Sequence, residues 1–174
     1  MSLPDATPLK LILMRHAKSD WSDGSLSDHD RPLNERGRRA APRMAVWLKS
    51  VNCVPDAILS STAARTRETV KFLSGVLGEI NVSWDESLYL SSPDTILNTI
   101  RSQGNDARCL MVVAHNPGMT HLSSVLAGES ISMPTAAAVV FQTSISHWDE
   151  LPRNNAANDF ELIEFMRPKA LDQP

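Results

Sequence analysis

Apolar and polar residues come in blocks along this chain, and the length and spacing of the blocks separate strands from helices. The run LKLILM at 9–14 is short, apolar and rich in strand formers, which predicts a buried strand. A polar stretch, RHAKSDWSDGSLSDHDRPL, follows it and is dense in Ser, Asp and Gly, as loops are. Across NERGRRAAPRMAVWLKSV, Ala41, Met44, Ala45 and Leu48 recur at helical intervals, and Asn34 is placed to cap the first turn. Pro42 lies inside that pattern, where its missing N–H and its ring are expected to kink the helix or delay its start.

DAILSS at 56–61 predicts a second strand, and TAARTRETVKFLSGVLG a second helix with Val70, Leu73 and Leu77 on its apolar side and an end near Gly78. INVSW at 80–84 predicts a third strand. SPDTILNTIRSQG at 92–104 carries Ser92 as cap, Pro93 in the first turn and Gly104 as stop. RCLMVVAH at 108–115 is a continuous apolar run, as expected of a strand covered on both faces. NPGMTHLSSVLAG at 116–128 predicts a fourth helix. TAAAVVFQTS (135–144) and NDFELIEFMRP (158–168) predict two late strands joined by a polar turn.

Strands alternating with helices predict an α/β fold, a three-layer sandwich with a mainly parallel sheet and helices on both faces. No repeat, low-complexity tract or linker interrupts the pattern, so one domain over 1–174 is expected. The formal net charge of −3 gives no general attraction to nucleic acid or membrane, so any anion has to be held by local positive charge. Cys53 and Cys109 both stand among apolar neighbours and read as small core hydrophobes rather than a disulfide framework. The N-terminus MSLPDATPLK has no basic segment followed by an apolar one, and no apolar run nears the roughly 20 residues that span a bilayer. A cytoplasmic, reducing setting is the expectation.

The placement of the cations changes the picture most. In open α/β sheets, ligands gather beyond the carboxyl ends of the strands. Arg15 and His16 follow the first strand, Arg65 and Arg67 open the helix after the second, and His115 and Asn116 follow the fourth. Arginine forks suit phosphate oxygens, and helix N-termini add backbone N–H groups. Each residue also has a plainer reading: His115 as a hydrogen-bonded structural histidine, Arg65 as a surface partner of Glu68. Two histidines without a carboxylate or cysteine at ligand spacing, beside arginines, argue against a metal. The joint placement favours a phosphoryl group held without metal or cofactor. A neutral, oriented histidine is a competent nucleophile at phosphorus, and two arginines with a second, protonated histidine would neutralise the transferring oxygens.

These segments match a known family. LMRHAKS resembles the Arg-His-Gly signature of the histidine phosphatase superfamily, with Ala17 where glycine is commoner. RPLNERG at 31–37 resembles its Leu-Thr-x-x-Gly segment, with Asn34 in the threonine place. SSTAARTRET resembles its Ser-x-x-x-Arg-x-x-x-Thr segment, with Ser61, Arg65 and Thr69 in register. VVAHNPGM at 112–119 resembles its second histidine segment. With RHAKSDW, DHDRPLNERG and HNPG in a short chain, the subgroup it resembles most is the SixA-type phosphohistidine phosphatases.

The resemblance implies a phosphoglycerate mutase-like fold with His16 as the nucleophile that takes the phosphoryl group. It implies Arg15, Arg65 and His115 as holders of the phosphoryl oxygens, with Arg31 and the backbone N–H of Asn116 adding contacts. Larger relatives carry an acid after the third strand. Here that stretch reads DESLYLSS, and Asp85 and Glu86 are the nearest carboxylates. The implied substrate is a phosphorylated protein, such as a histidine-phosphotransfer domain, or a small phosphoester. A non-catalytic phosphate-binding module is the alternative from another class. The acidic stretch between Trp21 and Asp30 reads as a solvated loop; His29, His121 and His147 carry no motif, and nothing sets the oligomeric state.

Overall fold

A computed structural model describes residues 7–153 and 156–172. The first six residues, on which part of the leader reading rests, lie outside them, as do 154 and 155 of the expected polar turn. The chain runs through β1 (Leu9–Arg15), α1 (Glu35–Ser50), β2 (Ala57–Ser60), α2 (Ala64–Leu77), β3 (Asn81–Trp84), α3 (Pro93–Gln103), β4 (Cys109–Ala114), α4 (Gly118–Ala127), β5 (Ala138–Thr143) and β6 (Phe160–Met166). The strands form a six-stranded sheet in the order β3-β2-β4-β1-β5-β6. The first four neighbours are parallel, whereas β5 is antiparallel to both β1 and β6.

Strand alternation sends successive side chains of β1 to opposite faces. Leu11 and Leu13 pack with Ile96 and Ile100 of α3 and with Met119, Leu122 and Leu126 of α4. Ile12 and Met14 pack with Met44, Ala45 and Leu48 of α1 and with Val70 and Leu73 of α2. The expected three layers are present, and both faces of the central strands are dry.

Helix α1 starts where the sequence places it, because the Asn34 side chain accepts a hydrogen bond from Gly37 N. It then runs unbroken through Pro42, which neither delays it nor stops it. A proline in a helix interior costs about 3 kcal/mol. Burying Met44 and Leu48 on the same face, at about 1.5–3 kcal/mol each, offsets that cost. Gly37 is required by close approach: a Cβ there would lie 2.3 Å from the Lys18 carbonyl oxygen. Removing the side chain lets α1 press against the exit of β1, and Asn34 N hydrogen-bonds the same carbonyl.

The connection from β5 to β6 is more than the polar turn expected. It contains a short 3-10 turn at Trp148–Glu150. Trp148 is fully buried against the α3 side, with its indole N–H donating to Ala107 O at 2.7 Å. Gly104 makes room for it, since a Cβ there would lie 2.5 Å from the indole ring. Among the described residues, no helix is long and apolar enough to cross a membrane.

Candidate active site

Because β1, β2 and β4 are parallel neighbours, their carboxyl ends open on one edge of the sheet, and the polar residues that follow them meet there. His16 is buried, and its ring lies 5.1 Å from that of His115. His16 Nδ1 is 2.7 Å from Ala17 O, and Arg65 Nε donates to His16 Nε2 at 3.3 Å. A carbonyl only accepts and a guanidinium only donates, so the proton is on Nδ1 and the Nε2 lone pair faces Arg65. Burial, opposed by the Ala17 contact and reinforced by Arg65 and Arg15, pushes the His16 pKa down to about 3. The imidazole is therefore neutral and oriented.

His115 is buried too, with Nε2 2.8 Å from Ser61 Oγ. Burial, then His16 and Arg65, pushes its pKa down to about 2. The expected imidazolium is thus absent from the protein alone, since a buried cation beside an arginine is unfavourable; only an added anion would reverse that balance. Arg15 donates to Met133 O at 3.1 Å, and burial and then Arg65 lower its pKa. Among the described residues, four buried side-chain polar atoms have no hydrogen-bond partner: Arg15 Nε, Arg31 Nε, His115 Nδ1 and Ser123 Oγ. Such orphans cost about 1–3 kcal/mol each, and three of the four belong to Arg15, Arg31 and His115, residues implied to hold or contact the phosphoryl oxygens.

The Ser61, Arg65, Thr69 spacing has a structural reason. Thr69 Oγ1 donates to Arg65 O at 2.7 Å and accepts from Ala17 N at 3.0 Å, which ties α2 to the turn after β1. Arg65, in the first turn of α2, points inward, whereas Arg67 turns out to Thr62 O and stacks over Trp84 at 4.6 Å. Only one of the two α2 arginines therefore enters the site. Glu68 accepts from Leu33 N and leaves Arg65 to other partners. Ala17 is buried at a residue where glycine is commoner, and it needs none of glycine's freedom: positive φ at non-glycine residues falls at Asn52, Leu90, Asn105 and Ala136.

Two residues of the site were not legible in the sequence. Asp28, from the stretch read as a solvated loop, accepts from Arg65 through its backbone O at 2.6 Å and its Oδ2 at 3.0 Å. Tyr89 donates to the same Oδ2 at 2.5 Å and packs its ring edge-on to His115. The Tyr89 hydroxyl, then the Arg65 guanidinium, hold the Asp28 carboxyl below the usual carboxylate range. The segment after β3 thus reaches the site through Tyr89. Asp85 is occupied instead in capping the turn at Ser87 N and accepting from Gln103, and Glu86 is exposed.

Arg31 and Asn116 sit around the site rather than on His16. The Arg31 guanidinium lies 3.7 Å over the exposed Trp21 ring, and its Nε is 3.7 Å from Asp28 Oδ1. Asn116 donates to Met133 O and accepts from Thr120 N and Oγ1, which orients the start of α4. The Met133 carbonyl thereby joins Arg15 to the β4 exit. Among the described residues, no group of three or more His, Cys, Asp or Glu side chains could hold a metal ion.

Comparison with known proteins places the chain. The family model of the histidine phosphatase superfamily, branch 1, matches residues 11–89. A chloroplastic protein of Arabidopsis thaliana, itself uncharacterised, is 37% identical over 151 residues, 81% of this chain and 69% of that one. An uncharacterised protein of Mycobacterium tuberculosis is 36% identical over 167 residues, 90% of this chain and 100% of that one. Among solved structures, a protein of Agrobacterium tumefaciens named for the phosphohistidine phosphatase SixA superposes with a TM-score of 0.78 at 28% identity. The match covers 92% of this chain and 99% of that one.

Proposed function

The chain belongs to the histidine phosphatase superfamily, and on that basis we propose that it is a metal-independent phosphatase that dephosphorylates phosphohistidine in proteins through a phosphohistidine enzyme intermediate. The observation that carries the reading is the neutral His16, its Nε2 lone pair beside the Arg65 guanidinium, with Arg15 Nε and His115 Nδ1 buried and unpartnered nearby.

In this reading His16 Nε2 attacks phosphorus, a P–N bond forms on His16, and the bond to the leaving group breaks. Arg15, Arg65 and His115 hold the equatorial oxygens, where positioning and charge neutralisation supply most of the rate. The dianion draws a proton onto His115 that the protein alone keeps off it. Water then attacks the enzyme's phosphoryl group, releases phosphate and returns the electron pair to Nε2. Arg31 and the Asn116 backbone stand at the rim as secondary contacts.

The choice of substrate rests on the leaving group. Asp28 is held ionised by Tyr89 and Arg65, so it is a poor proton donor to a departing alkoxide. A phosphohistidine leaves as an imidazole that carries its own proton, and needs less help. The test is phosphate release from a phosphohistidine-bearing protein domain and from p-nitrophenyl phosphate, measured side by side. A kcat/KM at least about 10²-fold higher on the phosphoprotein is the expected result, a difference of about 2.7 kcal/mol in transition-state binding. Comparable rates would assign the enzyme to small phosphoesters, and no release from either would leave a phosphate-binding module.

A further inference from the structure

A concave surface whose lining does not include His16, Arg65 or His115 lies beside the α1 face of the molecule. It encloses about 700 Å³ between α1, the segment 132–135 and the 3-10 turn Pro168–Asp172. Six cations line it: Lys18, Arg36, Arg39, Arg43, Arg167 and Lys169. Arg39 pairs with Glu35 at 3.4 Å and Arg43 with Asp172 at 2.7 Å. Lys18, Arg36, Arg167 and Lys169 have no ion pair with any described residue, and Arg167 lies 5.5 Å over the Phe165 ring. Pro134, Pro168, Ala40 and Ala170 form apolar walls between the charges.

This concentration of positive charge opposes the stability of the helix that carries it. Arg36, Arg39 and Arg43 fall at i, i+3 and i+7, on one stripe of α1, where like charges repel by about 0.2–0.5 kcal/mol per pair. Arg36 is the second residue of α1. The positive end of the helix dipole favours acids there and disfavours cations. The whole chain carries −3, so the cluster is not a sample of a basic surface. A fold that gathers four guanidinium groups and two ammonium groups around one hollow has a ready use for them, because planar forks match phosphate oxygens. The hollow is of small-molecule size, whereas protein-docking faces are flatter and richer in aromatic residues.

We propose that this groove is a binding site for small polyphosphate anions, those carrying two or more linked or neighbouring phosphoryl groups, distinct from the residues clustered around His16. The two sites are joined through backbone: Lys18 lies two residues beyond His16, and Ala136, next to the groove wall, donates its N–H to His16 O at 3.0 Å. The claim concerns binding and stands whether or not the proposed catalysis does.

Inorganic tripolyphosphate is the probe, titrated calorimetrically into the full chain carrying His16→Ala and Arg65→Ala, which removes turnover and the main phosphate contact proposed beside His16. One equivalent is expected to bind, more weakly as salt rises through about 0.1 M. Adding Arg36→Gln and Arg167→Gln is expected to weaken that binding at least tenfold. The same pair in the otherwise native chain leaves p-nitrophenyl phosphate hydrolysis unchanged and does not lower the thermal midpoint, because it relieves repulsion. Three outcomes would overturn the proposal: no saturable binding, binding indifferent to the Arg36 and Arg167 changes, or binding of polyglutamate in place of tripolyphosphate. The last would assign the face to an acidic protein.

Discussion

At the carboxyl ends of β1, β2 and β4 the chain leaves the sheet carrying Arg15 and His16, then Ser61 and Arg65, then His115. At the carboxyl end of β5, which runs the other way, it leaves carrying Ile145 and Trp148. The first edge holds buried polar atoms, the unpartnered Arg15 Nε and His115 Nδ1 among them, and the second holds an apolar side chain whose one polar atom is satisfied. Strand direction separates the two. Parallel strands bring several chain exits to one edge, whereas the antiparallel strand sends its exit to the opposite edge, where the chain builds core instead. The His16 edge therefore costs stability and the Trp148 edge contributes it.

The comparison breaks most decisively at His16. His16→Ala should lower phosphate release on the order of 10⁴-fold or more, as loss of a covalent nucleophile does. Its thermal midpoint should stay near that of the native chain, because a buried polar ring is replaced where burial was already unfavourable. Steady-state kinetics with a denaturation curve on the same sample reads both, and retained turnover would falsify the covalent mechanism. Trp148→Ala should do the reverse: a loss of about 3–5 kcal/mol in urea unfolding, with kcat/KM of the folded protein unchanged. A Trp148 variant that lost activity without losing stability would erase the distinction between the edges.

Arg65→Ala should cost about 10²–10³-fold in rate, the usual effect of removing one charge-stabilising donor. It also releases Asp28, so weaker inhibition by an oxyanion such as vanadate should accompany the slower turnover. Unchanged vanadate affinity would place the phosphoryl oxygens elsewhere. Per unit step, the smallest effect is in pH. His16 and His115 are pushed to about 3 and about 2 in the folded chain, mainly by burial, while the unfolded chain protonates both near 6.5. The unfolded state then binds more protons, so stability present at neutral pH declines as pH falls from about 6.5 towards 3. The slope is at most about 1.4 kcal/mol per pH unit for each group. His115→Gln should flatten the decline between pH 6 and 4 in urea midpoints, and a slope identical to the native one would contradict the neutral, buried assignment.

Much of the site was legible in short motifs because each motif also has a local structural task. Asn34 caps α1, Gly37 lets α1 approach Lys18, and Thr69 bridges Arg65 to Ala17. Asp28 and Tyr89 were not legible, because they meet each other across 61 residues and neither sits in a periodic segment. Asp28 is surrounded by residues that favour solvent, and only its partner Arg65 distinguishes it from them. Pro42 does not delay α1, because packing overrules the local rule, and the polar stretch between the two late strands conceals Trp148, a core residue.

The order of strands and helices, the three layers, and the delivery of Arg15, His16, Arg65 and His115 to one edge follow from hydrophobic period and chain direction, which are properties of the sequence alone. The neutral state of both histidines, the inward turn of Arg65 against the outward turn of Arg67, and the Asp28–Tyr89 clasp were decided only by tertiary structure. Burial and proximity between distant segments set those energies, and neither quantity exists until the chain has closed on itself.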